Sequence, residues 1–166
     1  MSVNIALLTV TDTRTLETDK SGNILVEKIK KAKHNLVERK ICKDNKEDIK
    51  IILKEWTHKK DLDVVITTGG TGLTGRDITP EALDEIADKH IPGFGEIFRY
   101  LSLQTVGTSS IQSRACAVLS NGKYIFALPG SSGGVTDAWD KILIHQLDVN
   151  HKPCNFVELF PRLKEK

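Results

Sequence analysis

No stretch of the sequence approaches the ~18 consecutive apolar residues of a membrane span, and the N-terminal MSVNIALLTV carries no basic leader. Neither a membrane protein nor a signal peptide is expected, and those first residues read as a strand. Positive charge is not in excess: 24 Lys and Arg against 22 Asp and Glu leave a formal charge of +2. General nucleic-acid binding, which needs a basic face, is not expected. Cysteine is scarce. Cys42, Cys116 and Cys154 are far apart and form no CxxC or Cys/His ligand spacing, and the five histidines show no metal spacing either. Zinc and redox motifs are therefore unsupported, and reduced thiols in a cytoplasmic protein are the expectation.

What is present describes a globular chain. Its 166 residues suit one domain spanning 1–166, and a domain of that size buries roughly 70% of its unfolded surface without disulfides or a structural metal. Val3 to Val10 is a near-continuous apolar run, as in a strand buried on both faces. Helical spacing predicts a helix over about Gly22 to Lys33, a strand follows at Leu36 to Cys42, and Ile49, Ile52, Leu53 and Trp56 mark an amphipathic helix. DVVITTGG reads as a third buried strand. Thr79 and Pro80 predict a capped helix start running to about Lys89, with a further helix over about Gly95 to Leu103. ACAVLS and KYIFAL flank Asn121-Gly122, a hairpin dipeptide, and a last helix is expected from about Gly133 to Gln146. The tail from Asp148 reads as irregular. Alternating strands and helices predict an α/β fold: a three-layer α/β/α domain with a mostly parallel sheet and one antiparallel hairpin.

Glycine is ordinary in number but not in placement. Of 12 glycines, nine fall in three clusters: Gly69, Gly70, Gly72 and Gly75; Gly93 and Gly95; Gly130, Gly133 and Gly134. The central run TTGGTGLTGRDITPEAL combines glycines that allow close backbone approach with the hydroxyls of Thr67, Thr68, Thr71 and Thr74, which suits a phosphate. It contains a literal GxGxxG, but after the third strand and before a delayed helix, so the dinucleotide fingerprint is rejected. GxSxG at Gly130, Ser132 and Gly134 follows a strand and opens a helix, as in a nucleophile elbow. Only 34 residues follow Ser132, too few for the usual acid and histidine loops. PGSSGG serves better as a second anion-binding turn, or as a plain capped helix start. PGFGEIF has the weakest signal, and Glu96 there can simply complement a helix dipole.

Two carboxylates lie beside the phosphate loop. Asp44 follows the second strand and emerges on the rim that holds Gly69 to Gly72; Asp77 sits between the glycine loop and Thr79. Together they are the minimum for holding Mg²⁺ with a substrate's own phosphates. The bland alternatives are helix capping for Asp44, in competition with Asn45, and an Asx turn for Asp77. Ser109, Ser110, Ser113 and Arg114 either reach an anion or cap a turn.

TVTDT, Asp19 with Ser21-Gly22, TTGGTG, GRDITPEAL, PGFGEIFR, SIQSRA and ALPGS occur in the order of the MogA/MoaB family of molybdenum cofactor biosynthesis. The sequence resembles that family from about Val3 to Phe156, and its FRYLS stretch and PCNF tail look more MoaB-like. The resemblance implies an α/β fold assembling as a trimer or hexamer, and binding of molybdopterin, a pterin with a dithiolene and a terminal phosphate. It implies adenylyl transfer, in which molybdopterin and Mg-ATP give adenylyl-molybdopterin and pyrophosphate, alongside other proteins of the pathway. Asp44 and Asp77 match the acidic positions of this chemistry, with Mg²⁺ at Asp77. Thr68, Gly69, Gly70, Thr71, Gly72, Ser113, Pro129, Gly130 and Ser131 match the ligand pocket, and only the resemblance ties Glu96 to it. A non-catalytic molybdopterin carrier is the alternative.

Overall fold

The computed structural model describes residues 1–165. Six strands form one sheet, with β1 (Asn4–Val10), β2 (Asn35–Cys42), β3 (Val64–Thr68), β4 (Lys89–His90), β5 (Cys116–Ser120) and β6 (Lys123–Leu128) in spatial order β2-β1-β3-β6-β5-β4. The first four in that order run parallel; β5 is antiparallel to β6, and β4 to β5. Alternate side chains of β1, β3, β5 and β6 enter two different cores. Ile5, Leu7, Val64, Ile66, Phe126 and Leu128 face α1 (Lys20–Lys31), α4 (Pro92–Val106) and α5 (Ser132–Ala138). Ala6, Leu8, Val10, Val65, Ile125 and Ala127 face α2 (Lys46–Thr57) and α3 (Thr79–Asp84). The three-layer mixed α/β architecture is the one the alternation predicts. No helix among the described residues is long and apolar enough to cross a membrane.

Several boundaries differ from the sequence expectation, each for a local reason. α1 begins at Lys20, two residues before Gly22, because the Asp19 carboxylate caps it by accepting the Gly22 N–H at 2.9 Å. Thr79 does not cap α3: its hydroxyl donates to Gly69 O at 2.9 Å, spending the side chain on the glycine loop. α3 stops at Asp84 and not near Lys89, since Lys89 and His90 pair as an edge strand with Leu119 and Val118. Pro92 itself opens α4, where its missing N–H costs nothing, so Gly93 and Gly95 lie inside the helix. The hairpin turns at Asn121 (φ 48°) and Gly122 (φ 71°), as its sequence predicts. After α5 the helix widens into a π-turn at Trp139–Leu143 and ends as α6 (Ile144–Gln146). The tail is more ordered than expected: a 3₁₀ segment at Val157–Arg162 packs there, with Phe156 and Phe160 against the Tyr124 ring at 4.7 and 5.8 Å.

Asp19, only 1% exposed, pins the first βα crossover. It accepts hydrogen bonds from the Thr9 hydroxyl at 2.6 Å and the Gly22 N–H, and pairs with Arg39 at 2.9 Å. Burial pushes its carboxyl up, but the bonds from Thr9, Arg39 and Gly22 outweigh burial and hold it below the usual range. Arg39→Ala strands this buried charge and should cost about 3 kcal/mol at neutral pH. Because the penalty exists only while Asp19 is ionised, it should shrink as pH falls. Urea unfolding at two pH values measures both; an equal loss at acid and neutral pH contradicts the assignment.

Candidate functional site

The parallel strands β1, β3 and β6 end side by side at Val10, Thr68 and Leu128. Beyond them the first and last glycine clusters meet as one seam. The Gly69 N–H donates to Leu128 O at 3.0 Å, and the Thr68 hydroxyl to Pro129 O at 2.8 Å. Gly69 has φ +100°, and a Cβ there would lie 2.2 Å from Val10 O; a Cβ on Gly130 would lie 3.3 Å from Gly69 Cα. Gly69 has no room for a side chain, and the Gly130 approach is tight for one.

The loop after the seam is held from outside. The Thr79 N–H donates to Gly70 O at 3.0 Å, and the Arg114 N–H to Thr71 O at 2.9 Å. The Arg114 guanidinium donates to Gly72 O and Asp77 O, both at 2.7 Å, and pairs with Glu81. Arg114 therefore acts as a clasp on the loop. Its neighbour Ser113 is the group that faces the cavity.

That cavity, of about 690 Å³, opens beside the seam. Thr71, Gly72, Ser113, Pro129 and Ser131 line it, bringing together predicted residues from three separate sequence stretches. The Ser113 and Ser131 hydroxyls accept backbone N–H groups of Ala115 and Gly134, at 3.3 and 3.1 Å, so their own protons remain to donate. Phe98 and Val106 add an apolar wall, and Thr105, Thr136 and Asp137 add polar groups. The sequence reading missed these five: Thr105 and Val106 lie past the helix end expected near Leu103, Phe98 is a core residue as well as a cavity wall, and Thr136 and Asp137 sit on a helix read for its buried face. Thr68, Gly69 and Gly130 lie in a smaller hollow on the other side of the seam. Glu96 is not brought to either: it is exposed, beside Arg99 in a separate groove that shares only Ser113 with the cavity. Ser132 lines the cavity without a histidine, since His145 and His151 line another hollow, with ring centroids 5.4 Å apart. The elbow reading gains nothing. The Cys42 and Cys116 thiols are pushed up by burial to about 12 and about 11, so neither is a thiolate nucleophile.

Asp44 and Asp77 bracket the loop. A Cβ on Gly70 would lie 3.2 Å from Asp44 Oδ1, and one on Gly72 would lie 2.7 Å from Asp77 Oδ2. Asn45, not Asp44, caps α2 by accepting the Glu47 and Asp48 N–H groups, which frees Asp44 from the structural role. Asp77 does accept the Thr74 N–H and hydroxyl, at 2.8 and 2.7 Å, so it makes an Asx-type turn while facing Gly72. Burial pushes Asp77 up, but bonds from Thr74 and Gly72 with the Arg114 charge hold it below the usual range. Asp44 is raised, first by burial and then by the Asp77 charge. Asp12, which the sequence reading left out, accepts the Asp44 N–H at 3.2 Å and pairs with Arg76. Among the described residues no three His, Cys, Asp or Glu side chains gather as a metal-binding group. A divalent cation here would need ligands from its substrate.

Fold and site together define a wound α/β domain that receives ligands at the carboxyl ends of its parallel strands. The family described as "Probable molybdopterin binding domain" matches residues 6–149, and the chain belongs to that family of molybdenum cofactor biosynthesis proteins. It is 44% identical over 161 residues to molybdenum cofactor biosynthesis protein B of Escherichia coli K12, covering 97% of this chain and 93% of that one. The protein of the same name from Bacillus cereus is 46% identical over 146 residues, 87% of this chain and 86% of the relative. The crystal structure of a molybdenum cofactor biosynthesis protein B matches with TM-score 0.89 at 41% identity, covering 100% of this chain and 98% of the other. The tungsten cofactor synthesizing protein MoaB from Pyrococcus furiosus matches with TM-score 0.76 at 36% identity, covering 86% and 91%.

Gly69→Ala should destabilise the fold by about 2 kcal/mol, through a positive φ and the collision with Val10 O. Gly75→Ala, with open space around its Cβ, should change stability by under about 0.5 kcal/mol; similar urea midpoints for the two contradict the seam. Asp44 has a raised folded pKa, so its ionisation destabilises the fold as pH rises past the unfolded value. Asp44→Asn should raise the melting temperature at neutral pH and lose that gain in acid. A loss of stability at neutral pH would show that Asp44 is a structural anchor.

Proposed function

We propose that the chain transfers the adenylyl group of ATP to the terminal phosphate of molybdopterin, releasing pyrophosphate. One observation carries the reading: Asp44 against Gly70 and Asp77 against Gly72, near enough for the Asp77 charge to raise Asp44, flank a glycine loop whose Thr71 and Gly72 line a cavity of about 690 Å³. The apolar wall of Phe98 and Val106 suits a flat heterocycle, and the hydroxyl protons of Ser113 and Ser131 suit its phosphate. Asp44 and Asp77 fit a divalent cation, because an intervening positive charge relieves the repulsion that raises Asp44. Mg²⁺ bound by Asp44 and Asp77 would supply charge neutralisation on the reacting phosphates. The terminal phosphate oxygen of molybdopterin attacks the α-phosphorus of ATP, and the bond to pyrophosphate breaks. No covalent protein intermediate is needed: Thr79 and Arg114 fix the loop, and the loop fixes the two phosphates in line.

The exposed Ile97, Tyr100, Leu103 and Ile111 support self-association, as a trimer or hexamer in this reading. Asp77→Asn should reduce formation of adenylyl-molybdopterin at least about 100-fold while leaving molybdopterin binding near wild type. The assay uses purified protein, molybdopterin, Mg-ATP and pyrophosphatase, with product followed by chromatography. Full activity in Asp77→Asn removes it from the mechanism. Tight pterin binding by the wild type with no adenylyl product assigns a carrier role instead.

A further inference from the structure

The seam between Gly69 and Gly130 has a second side. Opposite the large cavity lies a hollow of about 310 Å³, lined among others by Thr11, Arg14, Lys20, Ser131 and Ser132. Its character is different. The cavity presents Phe98 and Val106, whereas the hollow presents hydroxyls and two exposed cations. Neither Arg14 nor Lys20 belongs to an ion pair among the described residues. The carboxylate in the wall, Asp19, is already spent: it accepts from Thr9, Ser21 and Gly22, and its charge is matched by Arg39 at 2.9 Å. The hollow therefore carries a net positive charge with no internal partner.

We propose that this hollow is a polyphosphate subsite, in which Arg14 and Lys20 hold the phosphates of the nucleotide while the pterin occupies the cavity. The assignment to a nucleotide rests on the adenylyl-transfer reading; the assignment to a polyphosphate rests on the hollow alone. Two cations from separate positions suit an anion whose charge is spread over several linked phosphates and can meet both at once, whereas a monoester concentrates its charge on one group. Arg offers a planar fork for phosphate oxygens and Lys a mobile point charge. Ser131 and Ser132 line both compartments, so an anion in the hollow and a ligand in the cavity meet across one turn of chain. The shared turn places the two compartments next to each other, as a transfer between two phosphate-bearing substrates needs.

Calorimetric titration of the full chain with inorganic tripolyphosphate, and separately with a simple phosphate monoester, tests the subsite without any reaction. Tripolyphosphate should bind, the monoester much more weakly, and Arg14→Ala/Lys20→Ala should weaken tripolyphosphate at least about tenfold. Lys152→Ala/Arg162→Ala removes the same charge elsewhere on the surface and should leave binding unchanged. No tripolyphosphate binding by the wild type, equal loss in both double variants, or a monoester preference overturns the proposal. The two readings fail separately. Tripolyphosphate binding that depends on Arg14 and Lys20, in a protein that makes no adenylyl-molybdopterin, keeps the subsite and removes the transfer. Adenylyl transfer at wild-type rate in Arg14→Ala/Lys20→Ala, with tripolyphosphate affinity unchanged, removes the subsite and keeps the transfer.

Discussion

The contact between Gly69 and Gly130 is the constraint on which the site depends. Two turns from distant parts of the chain approach until a Cβ on one would lie 3.3 Å from the backbone of the other. The Gly69 N–H to Leu128 O bond continues the β3–β6 ladder one residue past the strand and delivers both turns to the same rim. One side of the cavity is placed from that point. Thr71 and Gly72 follow Gly69 into the cavity wall, and Ser131 follows Gly130. A side chain at Gly69 would collide with Val10 O at the end of β1, and one at Gly130 would press on the Gly69 backbone.

Around this seam, charge is arranged at some cost to the fold. Asp19 and Arg39 show the stabilising use of a buried pair, with every donor aimed at one carboxylate. Asp44 is the opposite case, since burial and the Asp77 charge both disfavour its ionised form. Carboxylates perturbed in this way are concentrated at functional sites, though structural networks also produce them. Asp77 is held ionised by Thr74, Gly72 and Arg114, which leaves Asp44 as the partner that carries the repulsion. The near-zero net charge fits this economy: the anion-binding groups are hydroxyls and a few local cations, and no basic surface is needed.

The layers of the fold were legible because apolar residues repeat strictly. Ile5, Leu7 and Ala6, Leu8 alternate between two cores, and Ile49, Leu53 and Trp56 mark one helix face. Boundaries were less legible where polar side chains act at a distance. Thr79 looks like a cap beside Pro80, yet its hydroxyl is taken by Gly69 O, ten residues back. Lys89 and His90 look like a helix end, yet β5 offers them a ladder. The cavity was half legible: its glycines, threonines and serines stand out, but Asp137 lies on a helix whose pattern records what is buried, and Thr105 lies on a last turn of α4 that the periodicity did not reach.

The order of strands and helices, the glycine turns at the ends of β3 and β6, and the acidic residues beside them are written in the chain. Those are local properties, set by periodicity and by the conformations that glycine favours. Folding settles which turns share a cavity, that Glu96 stands apart from it, and that Arg114 clasps the loop while Arg14 and Lys20 have no ion-pair partner among the described residues. These depend on which groups across the sheet find partners first, and hydrogen-bond partnership between distant residues leaves no periodic trace in the chain.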